Sequence, residues 1–286
     1  MSDTVTDLPS LNPVNRARLR GFVLPREHGA WGILLVPLVT SATVALLRGG
    51  ALLPVLLFLP AALALFCLRT PVEAALGTAA QRIDNASERR VVILAIAGYA
   101  AVAGLALAAL LWNGKNPALL MLGAIAAASF GAQALLRRIS RASRMLSQII
   151  GLVGLTSTAT AAYYVSTGRL DTTGWMIWAA NWLFAANQVH MVQLRIHNAK
   201  VSGFSQRLAR GWKFLAGEIL TVALLLAFFH FRLLPKMSVV AFHPMLLRGA
   251  AWFFKKPRPL RVHRLGWMEL GFALIFGVMF VSGFFR

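Results

Sequence analysis

The chain has 286 residues, of which 58% are hydrophobic and 13% are charged. An ordinary soluble domain carries roughly 25% charged residues, so this composition excludes a conventional soluble enzyme. The formal net charge of +20 would indicate nucleic-acid binding in a soluble protein. Here the basic residues lie between long apolar runs, so we expect no nucleic-acid partner. The single cysteine, Cys67, excludes a disulfide framework and a thiolate metal cage.

Nine apolar stretches are long enough to cross a bilayer, whose hydrocarbon core requires about 20 helical residues. We predict an all-α fold, a polytopic transmembrane helical bundle of about nine spans. Residues 1–24 form a polar cytoplasmic N-terminal arm, and residues 25–286 form a single transmembrane domain. The eighth stretch is the weakest, because it contains His243, Pro244 and Arg248. The stretches are approximately residues 30–47, 51–68, 91–112, 117–136, 149–167, 173–194, 214–231, 237–254 and 266–285.

The Lys and Arg residues alternate between the two ends of these spans. Of the 29, 23 lie in the N-terminal arm or in every second loop, and six lie at the opposite ends. Short cytoplasmic loops of bacterial membrane proteins are enriched in Lys and Arg. We therefore predict a bacterial cytoplasmic membrane protein, with the N-terminus in the cytoplasm and the C-terminus outside. Its basic loops are expected to contact anionic lipids. The six cations of the minority side are Arg48, Lys115, Arg169, Arg232, Lys236 and Arg286.

The first polar cluster precedes the first span and contains Arg26, Glu27 and His28. A glutamate beside a histidine at a membrane mouth is a candidate acid/base pair, because burial raises the pKa of a carboxyl group and a carboxylate raises that of histidine. We therefore take Glu27 and His28 as candidate catalytic residues and Arg26 as a candidate binding residue. The alternative is a helix cap combined with an interfacial anchor.

The second polar cluster closes the sixth span. Asn187, His190 and Asn198 share one helix face, and Arg195 lies beside that face. Polar side chains in a membrane helix usually face the bundle interior or a wet cavity. We take His190 as a candidate catalytic residue, and Asn187, Arg195, His197 and Asn198 as candidate substrate-binding residues. The alternative is hydrogen bonding between helices without a ligand.

The third polar cluster precedes the last span and contains Arg264 and Glu269. Glu269 lies about one turn inside the membrane, where a carboxylate needs a partner. Arg264 or Arg26 are the expected partners, and Arg264 and Glu269 are candidate binding residues. The alternative is a buried salt bridge that joins the last helix to the first.

Asp84 and Glu88 are weak candidates for a Mg²⁺ site, since carboxylates four residues apart on a helix can face one cation. Salt bridges to neighbouring Arg89 and Arg90 are the alternative.

Glycine and proline give two further expectations. The glycines of the fifth span, Gly151 and Gly154, indicate close helix packing. Four prolines could interrupt helices, namely Pro37, Pro54, Pro60 and Pro244.

The clusters fall at the cytoplasmic ends of spans one, three, six and nine, so we expect one shared site there. Its cationic, imidazole-rich composition suits a phosphate, a diphosphate or a carboxylate. Simple binding of acidic lipid headgroups by the basic loops is the plain alternative.

Residues 24–37, LPREHGAWGILLVP, and residues 265–269, LGWME, resemble the YwiC-like family of bacterial integral membrane proteins. The nine helices and the polar cytoplasmic mouth also resemble the UbiA prenyltransferases. That resemblance implies a polyprenyl diphosphate held through Mg²⁺ on two Asp-rich motifs. In this chain the second span is followed by Glu73 without that motif, and the sixth by His197 and Asn198 without any acid. Arg and His would therefore replace the metal.

We expect a UbiA-like protein that binds an anionic isoprenoid or lipid-like ligand at its cytoplasmic mouth. In an enzyme, Arg26, Arg195 and Arg264 would hold the head group, and Glu27 with His28, or His190, would supply acid/base catalysis. The alternative is a membrane transporter, or a lipid-handling or scaffold protein without catalysis.

Overall fold

The protein is described from a computed structural model, which covers residues 13–25, 28–79, 81–114, 117–139, 144–199, 201–254 and 262–285. At residues 13–17, 28, 113–114, 144 and 262 it describes the backbone alone.

The described residues form eleven α-helices and no strand. The helices are α1 (Pro13–Val23), α2 (His28–Leu47), α3 (Leu52–Ala75), α4 (Ala86–Gly114), α5 (Pro117–Ile139), α6 (Arg144–Thr167), α7 (Thr172–His197), α8 (Phe204–His230), α9 (Lys236–Val240), α10 (His243–Phe254) and α11 (Val262–Ser282).

Eight stretches of the described residues are long and apolar enough to cross a membrane, with α9 and α10 forming one stretch together. The most apolar of them, in α4, has only 11% of its residues buried inside the molecule. Its exposed side chains include Leu94, Leu105 and Trp112. Exposing an apolar surface of this size to water is unfavourable, whereas contact with lipid chains is not. The prediction of a polytopic transmembrane helical bundle is confirmed.

The sixth predicted span, which is not among these eight stretches, corresponds to α7. This helix is less apolar than the others because it carries asparagine, glutamine and histidine side chains. α7 has 26 residues, enough to cross the bilayer core. Its polar residues Asn181, Asn187 and Gln188 are buried. The polar face of α7 therefore lies inside the bundle rather than against lipid.

Of the four prolines expected to interrupt helices, only Pro244 accompanies a break among the described residues. The chain turns at Ala241 and Phe242, between α9 and α10. Pro244 then lies in the first turn of α10, where proline's missing N–H has no helical partner to lose. Pro37 and Pro60 lie inside α2 and α3 without ending them, and Pro54 lies in the first turn of α3. The expectation was wrong for these three.

The main core lies between α2, α6, α7, α8, α10 and α11, and is rich in aromatic rings. Phe184 of α7 stacks on Phe276 of α11 with ring centroids 4.0 Å apart, and Phe242 meets Phe276 edge to face. Such ring pairs contribute about 1 kcal/mol each beyond their buried area. A second core joins α2, α3 and α6 around Phe58 and Ala162.

The bundle has two ends, which we call proximal and distal. The proximal end is where α2, α8 and α11 begin and α7 and α10 end. There Gln188 of α7 donates a hydrogen bond to the carbonyl of Glu269, 2.8 Å away. At the distal end, α2 ends beside the beginning of α7, where Arg48 donates to the Thr173 hydroxyl over 2.9 Å. These contacts agree with the alternation of charges along the sequence.

Close packing of α5 and α6 depends on Gly154. A methyl group at this position would lie 3.1 Å from the carbonyl oxygen of Ala126 and 3.4 Å from its Cα. Both atoms belong to the α5 backbone, which cannot move aside as a side chain would. Gly151 lies against the Gln133 side chain in the same interface. The packing role expected of these two glycines is confirmed.

We expect Gly154→Leu to lower the free energy of unfolding by about 1–3 kcal/mol, because the larger side chain would be overpacked between the backbones of α5 and α6. The matched control is Gly123→Leu on α5, where nothing lies within 4 Å of the position of a Cβ. Thermal unfolding in nanodiscs measures both. Equal effects of the two substitutions would contradict the close approach of α5 and α6.

Candidate functional site

The candidate site is a group of buried and half-buried polar side chains where α7, α8, α10 and α11 meet near the proximal end. Each of the four helices contributes at least one charged or amide group to a region otherwise lined by apolar residues. The group comprises Asn187, Gln188, His190, Arg195, Glu218, Arg248 and Glu269.

Asn187 joins α7 to α8 through Glu218. Its amide nitrogen donates to Glu218 Oε1 over 2.5 Å, and both side chains are buried. Gly249 of α10 leaves the space that the carboxyl group occupies, since a Cβ there would lie 2.5 Å from Glu218 Oε1. The carboxyl group of Glu218 is thus enclosed by α7 and α10 in the apolar part of the bundle.

Arg248 joins α10 to α11 through Glu269. The two side chains form an ion pair with 2.6 Å between Arg248 Nη1 and Glu269 Oε2, and each is 8% exposed. The guanidinium also lies over the ring of Phe272, 4.4 Å from its centroid. Removing one partner of such a buried ion pair strongly destabilises the folded protein, because the remaining charge stays buried without a counter-charge.

Several atoms of this group are buried without a hydrogen-bond partner within the described residues. They are Arg248 Nε and Nη2, Glu269 Oε1 and Asn187 Oδ1. Leaving a buried donor or acceptor unsatisfied costs about 1–3 kcal/mol per group. The concentration of such atoms around one ion pair therefore marks a place where a further polar molecule would be stabilised.

Arg195 and His190 of α7 lie at the edge of this group and are half-buried. Arg195 is close enough to interact electrostatically with both Glu269 and Arg248. His190 meets the ring of Phe214 edge to face at 5.2 Å, and its Nδ1 faces Gly217. Among the residues predicted for the second cluster, Asn187, His190 and Arg195 are thus brought toward α8 and α11.

His197 and Asn198, by contrast, contact carbonyl groups in the last turn of α7. His197 Nδ1 lies 2.8 Å from the carbonyl oxygen of Gln193, and Asn198 donates to the carbonyl of Leu194 over 3.1 Å. Both contacts lie within the last turn of their own helix. Asn198 is the C-terminal cap of α7.

Of the two partners expected for Glu269, Arg264 forms no ion pair with it among the described residues. Arg264 is exposed, and Arg26 lies outside the described residues. Arg248 takes that place because the end of α10 packs beside the beginning of α11. The salt bridge found among the described residues therefore joins α11 to α10.

Glu27 also lies outside the described residues, as does the side chain of His28. Helix α2, which follows Glu27, begins close to the part of α11 that carries Glu269. Gly32 of α2 lies against Leu270, whose Cδ1 would be 3.4 Å from a Cβ at position 32. The beginnings of α2 and α11 are therefore neighbours at the proximal end.

Asp84 and Glu88 face a guanidinium. Arg18 of α1 forms ion pairs with both carboxylates, at 2.5 Å from its Nε to Glu88 Oε1. Glu88 and then Asp84 raise the pKa of the Arg18 side chain above its ordinary value. Arg89 and Arg90, the expected salt-bridge partners, are exposed. Within the described part of the chain, no three His, Cys, Asp or Glu residues come together as metal ligands.

Glu218 and Arg248 were not identified as site residues from the sequence. The signal was present in both cases, since each is a single charged residue inside a predicted apolar span. A charge in such a position faces the bundle interior and has a partner. Arg248 was instead counted with the basic loop that follows its span.

The arrangement combines hydrogen-bond donors for an oxyanion with groups able to exchange a proton. The Nε and Nη2 donors of Arg248 lie along one edge of the guanidinium, the edge that binds two oxygens of one carboxylate or phosphate. Glu218 and His190 are the nearby groups that can gain or lose a proton.

A family model matches the part of the chain from α2 to most of α6. No curated protein and no solved structure matches the chain significantly. The model of the YwiC-like protein family matches residues 24–163. Asn187, Glu218, Arg248 and Glu269 all lie beyond this stretch. The resemblance of the chain to the YwiC-like family is thus confirmed over residues 24–163.

Proposed function

We propose that this multi-pass membrane protein binds an anionic isoprenoid or lipid-like molecule at the proximal end, between α7, α8, α10 and α11. The observation that carries the proposal is the free edge of the buried Arg248 guanidinium, with Nε and Nη2 unpartnered among the described residues. Oxyanions such as carboxylate and phosphate fit this edge with two parallel hydrogen bonds.

Arg195 supplies a second positive charge for the same head group. It lies near Glu269 and Arg248 and is half-buried, so it is reached from the proximal mouth more easily than Arg248. The rings of Phe272 and Phe214 border the charged group and suit an apolar chain. A ligand with an anionic head and an isoprenoid or acyl tail would match both parts.

In an enzyme of this design, electrostatic stabilisation by Arg195 and Arg248 would assist departure of an anionic leaving group. His190, or Glu27 with His28, would transfer the proton, and Arg26 and Arg264 would attract the head group to the mouth. This proposal retains a UbiA-like architecture without Asp-rich Mg²⁺ motifs. The excess of Lys and Arg in the proximal loops supports a cytoplasmic orientation of this end in a bacterial inner membrane, in contact with anionic lipids.

We expect prenyl diphosphates to raise the unfolding temperature of the protein in nanodiscs. A ligand at about 100 times its Kd adds about 2.7 kcal/mol to the stability of the folded state. Arg195→Gln is expected to weaken binding about tenfold or more, since a charge-assisted hydrogen bond contributes about 1.5–3 kcal/mol.

Arg210→Gln is the matched control, because Arg210 is exposed on α8 at the same end. An equal loss of binding in both variants would assign the effect to general surface charge. Titrations with and without Mg²⁺ separate the two forms of the proposal. Stabilisation that requires Mg²⁺ and is lost in Asp84→Asn would support a metal-dependent, prenyltransferase-like site, whereas Mg²⁺-independent stabilisation would support the arginine site.

A transporter is the second candidate function, and the break between α9 and α10 favours it. Interrupted helices near a buried polar site occur in many secondary transporters. Arg248 lies on the helix that follows this break. Accumulation of the ligand in sealed vesicles that depends on an ion gradient would support transport over catalysis.

The remaining alternative, a scaffold without a ligand, makes its own prediction for the buried ion pair. We expect Glu269→Gln to lower the free energy of unfolding by about 3–5 kcal/mol, because Arg248 then stays buried without a counter-charge. The double variant Glu269→Gln with Arg248→Met should regain most of this loss, measured by chemical unfolding in micelles.

The folded double variant separates the two roles. If Arg248 holds a ligand, this variant is stable but no longer stabilised by the ligand. A double variant that still shows the full ligand response would overturn the binding role of Arg248 and leave the pair with a structural role.

A further inference from the structure

We infer that the distal end of the bundle holds a second anion site, which binds a phosphate or similar oxyanion attached to an apolar group. Two adjoining cavities of about 450 Å³ and 540 Å³ open there. They share Arg48, Pro235 and Phe284, and together we call them the distal cleft. Volumes of this size are typical of small-molecule sites.

Four cations from three connections between helices line the distal cleft. Arg48 follows α2, Arg169 precedes α7, Arg232 follows α8 and Lys236 begins α9. The sequence has six Lys and Arg residues on this minority side, so four of the six line one cleft. None of the ion pairs found among the described residues includes any of the four. Within the described residues, no carboxylate forms an ion pair with any of these positive charges.

Asp171 is the acidic residue that lines the distal cleft, and its carboxylate is already engaged. One oxygen accepts from the backbone N–H of Gly174 at 3.0 Å, which caps the beginning of α7. The other accepts from the Tyr163 hydroxyl at 3.0 Å. The carboxylate is thus held by two donors, neither of which is one of the four cations.

Arg232 lies in the distal cleft at a conformational cost. Its φ of +54° is in the left-handed region, which side-chain-bearing residues rarely adopt. It follows the cap of α8, the position that glycine usually occupies at a helix end. Strained residues of this kind cluster at ligand sites. A binding role for its charge would therefore explain why a long cationic residue stands here in place of glycine.

The distal cleft also has an apolar side. Phe229, Leu233 and Phe284 line it, and the guanidinium of Arg48 lies 5.7 Å from the centroid of the Phe284 ring. A free inorganic ion would leave this side without contacts. The combination of cations and apolar side chains fits an oxyanion that carries an alkyl or aromatic group.

The distal cleft is held in place by hydrogen bonds between the elements that form it. The Ala51 N–H donates to the Ser166 carbonyl at 2.8 Å, and the Ser166 hydroxyl donates to the Ala51 carbonyl at 2.9 Å. On the other side, the Ser238 hydroxyl donates to the carbonyl of Phe280 at 2.8 Å. The cations are therefore carried on fixed turns, which reduces the ordering cost of binding.

The test uses the full chain in nanodiscs, with inorganic phosphate and phosphatidic acid as the two probes. Inorganic phosphate is titrated into zwitterionic nanodiscs at constant ionic strength with chloride. Phosphatidic acid is added in a second series without free phosphate. We expect a rise in unfolding temperature in at least one series. The half-maximal phosphate concentration or lipid fraction should increase about tenfold or more in Arg48→Gln/Arg232→Gln, since each lost charge-assisted contact contributes about 1.5–3 kcal/mol.

Arg232→Gly keeps the test informative if the double variant folds poorly. Glycine adopts a positive φ without strain, so this variant should unfold at the same or a higher temperature without ligand, yet respond less to phosphate. Arg210→Gln removes an equal charge from the proximal end and should respond as the wild type does. A response to both probes, or to phosphate alone, indicates a soluble phosphate compound, and a response to phosphatidic acid alone indicates a lipid headgroup. No response to either probe, or equal responses in all variants, overturns the proposal.

Discussion

The charge of Arg248 inside the apolar bundle is the constraint on which the proximal half of the structure depends. A guanidinium in this environment needs a carboxylate, and Glu269 provides it at 2.6 Å. Because the pair joins α10 to α11, it fixes the two helices relative to each other. Gln188 then joins α7 to the backbone of Glu269, and Asn187 joins α7 to Glu218 on α8. Four helices are thus held by polar contacts in a region where lipid offers none.

The sequence alone was sufficient to predict the membrane-spanning helices, but not α1 or the division of the eighth span into α9 and α10. Apolar length determines the spans, and the polar face of α7 could be recognised from the spacing of Asn187 and His190. The partner of Glu269 could not be predicted, because it depends on which helix end packs beside α11. Asn198 was assigned to the site by its helix face and His197 with the same cluster, whereas at the end of α7 both contact carbonyl groups of their own helix.

The two polar regions lie at opposite ends of one aromatic core. Phe284 lines the distal cleft, and Phe280, Phe276 and Phe184 continue from it along α11 and α7. The stacked rings fill the space between the ends with apolar side chains. A polar molecule bound at one end is therefore separated from the other end unless the rings move, which makes this part of the core the barrier in any transport mechanism.

The long apolar helix α4 has a consequence for how the protein responds to its membrane. Glu88, Arg89 and Arg90 lie in its first turns, and the uninterrupted apolar run that follows, residues 91–112, measures about 33 Å at 1.5 Å per residue, about 3 Å more than the hydrocarbon core. Hydrophobic mismatch of this size is relieved by tilting, and the required tilt varies with bilayer thickness. Since Arg18 joins α1 to Glu88 in the first turn of α4, the N-terminal helix is mechanically coupled to that tilt. The position of α1 relative to the membrane therefore depends on bilayer thickness.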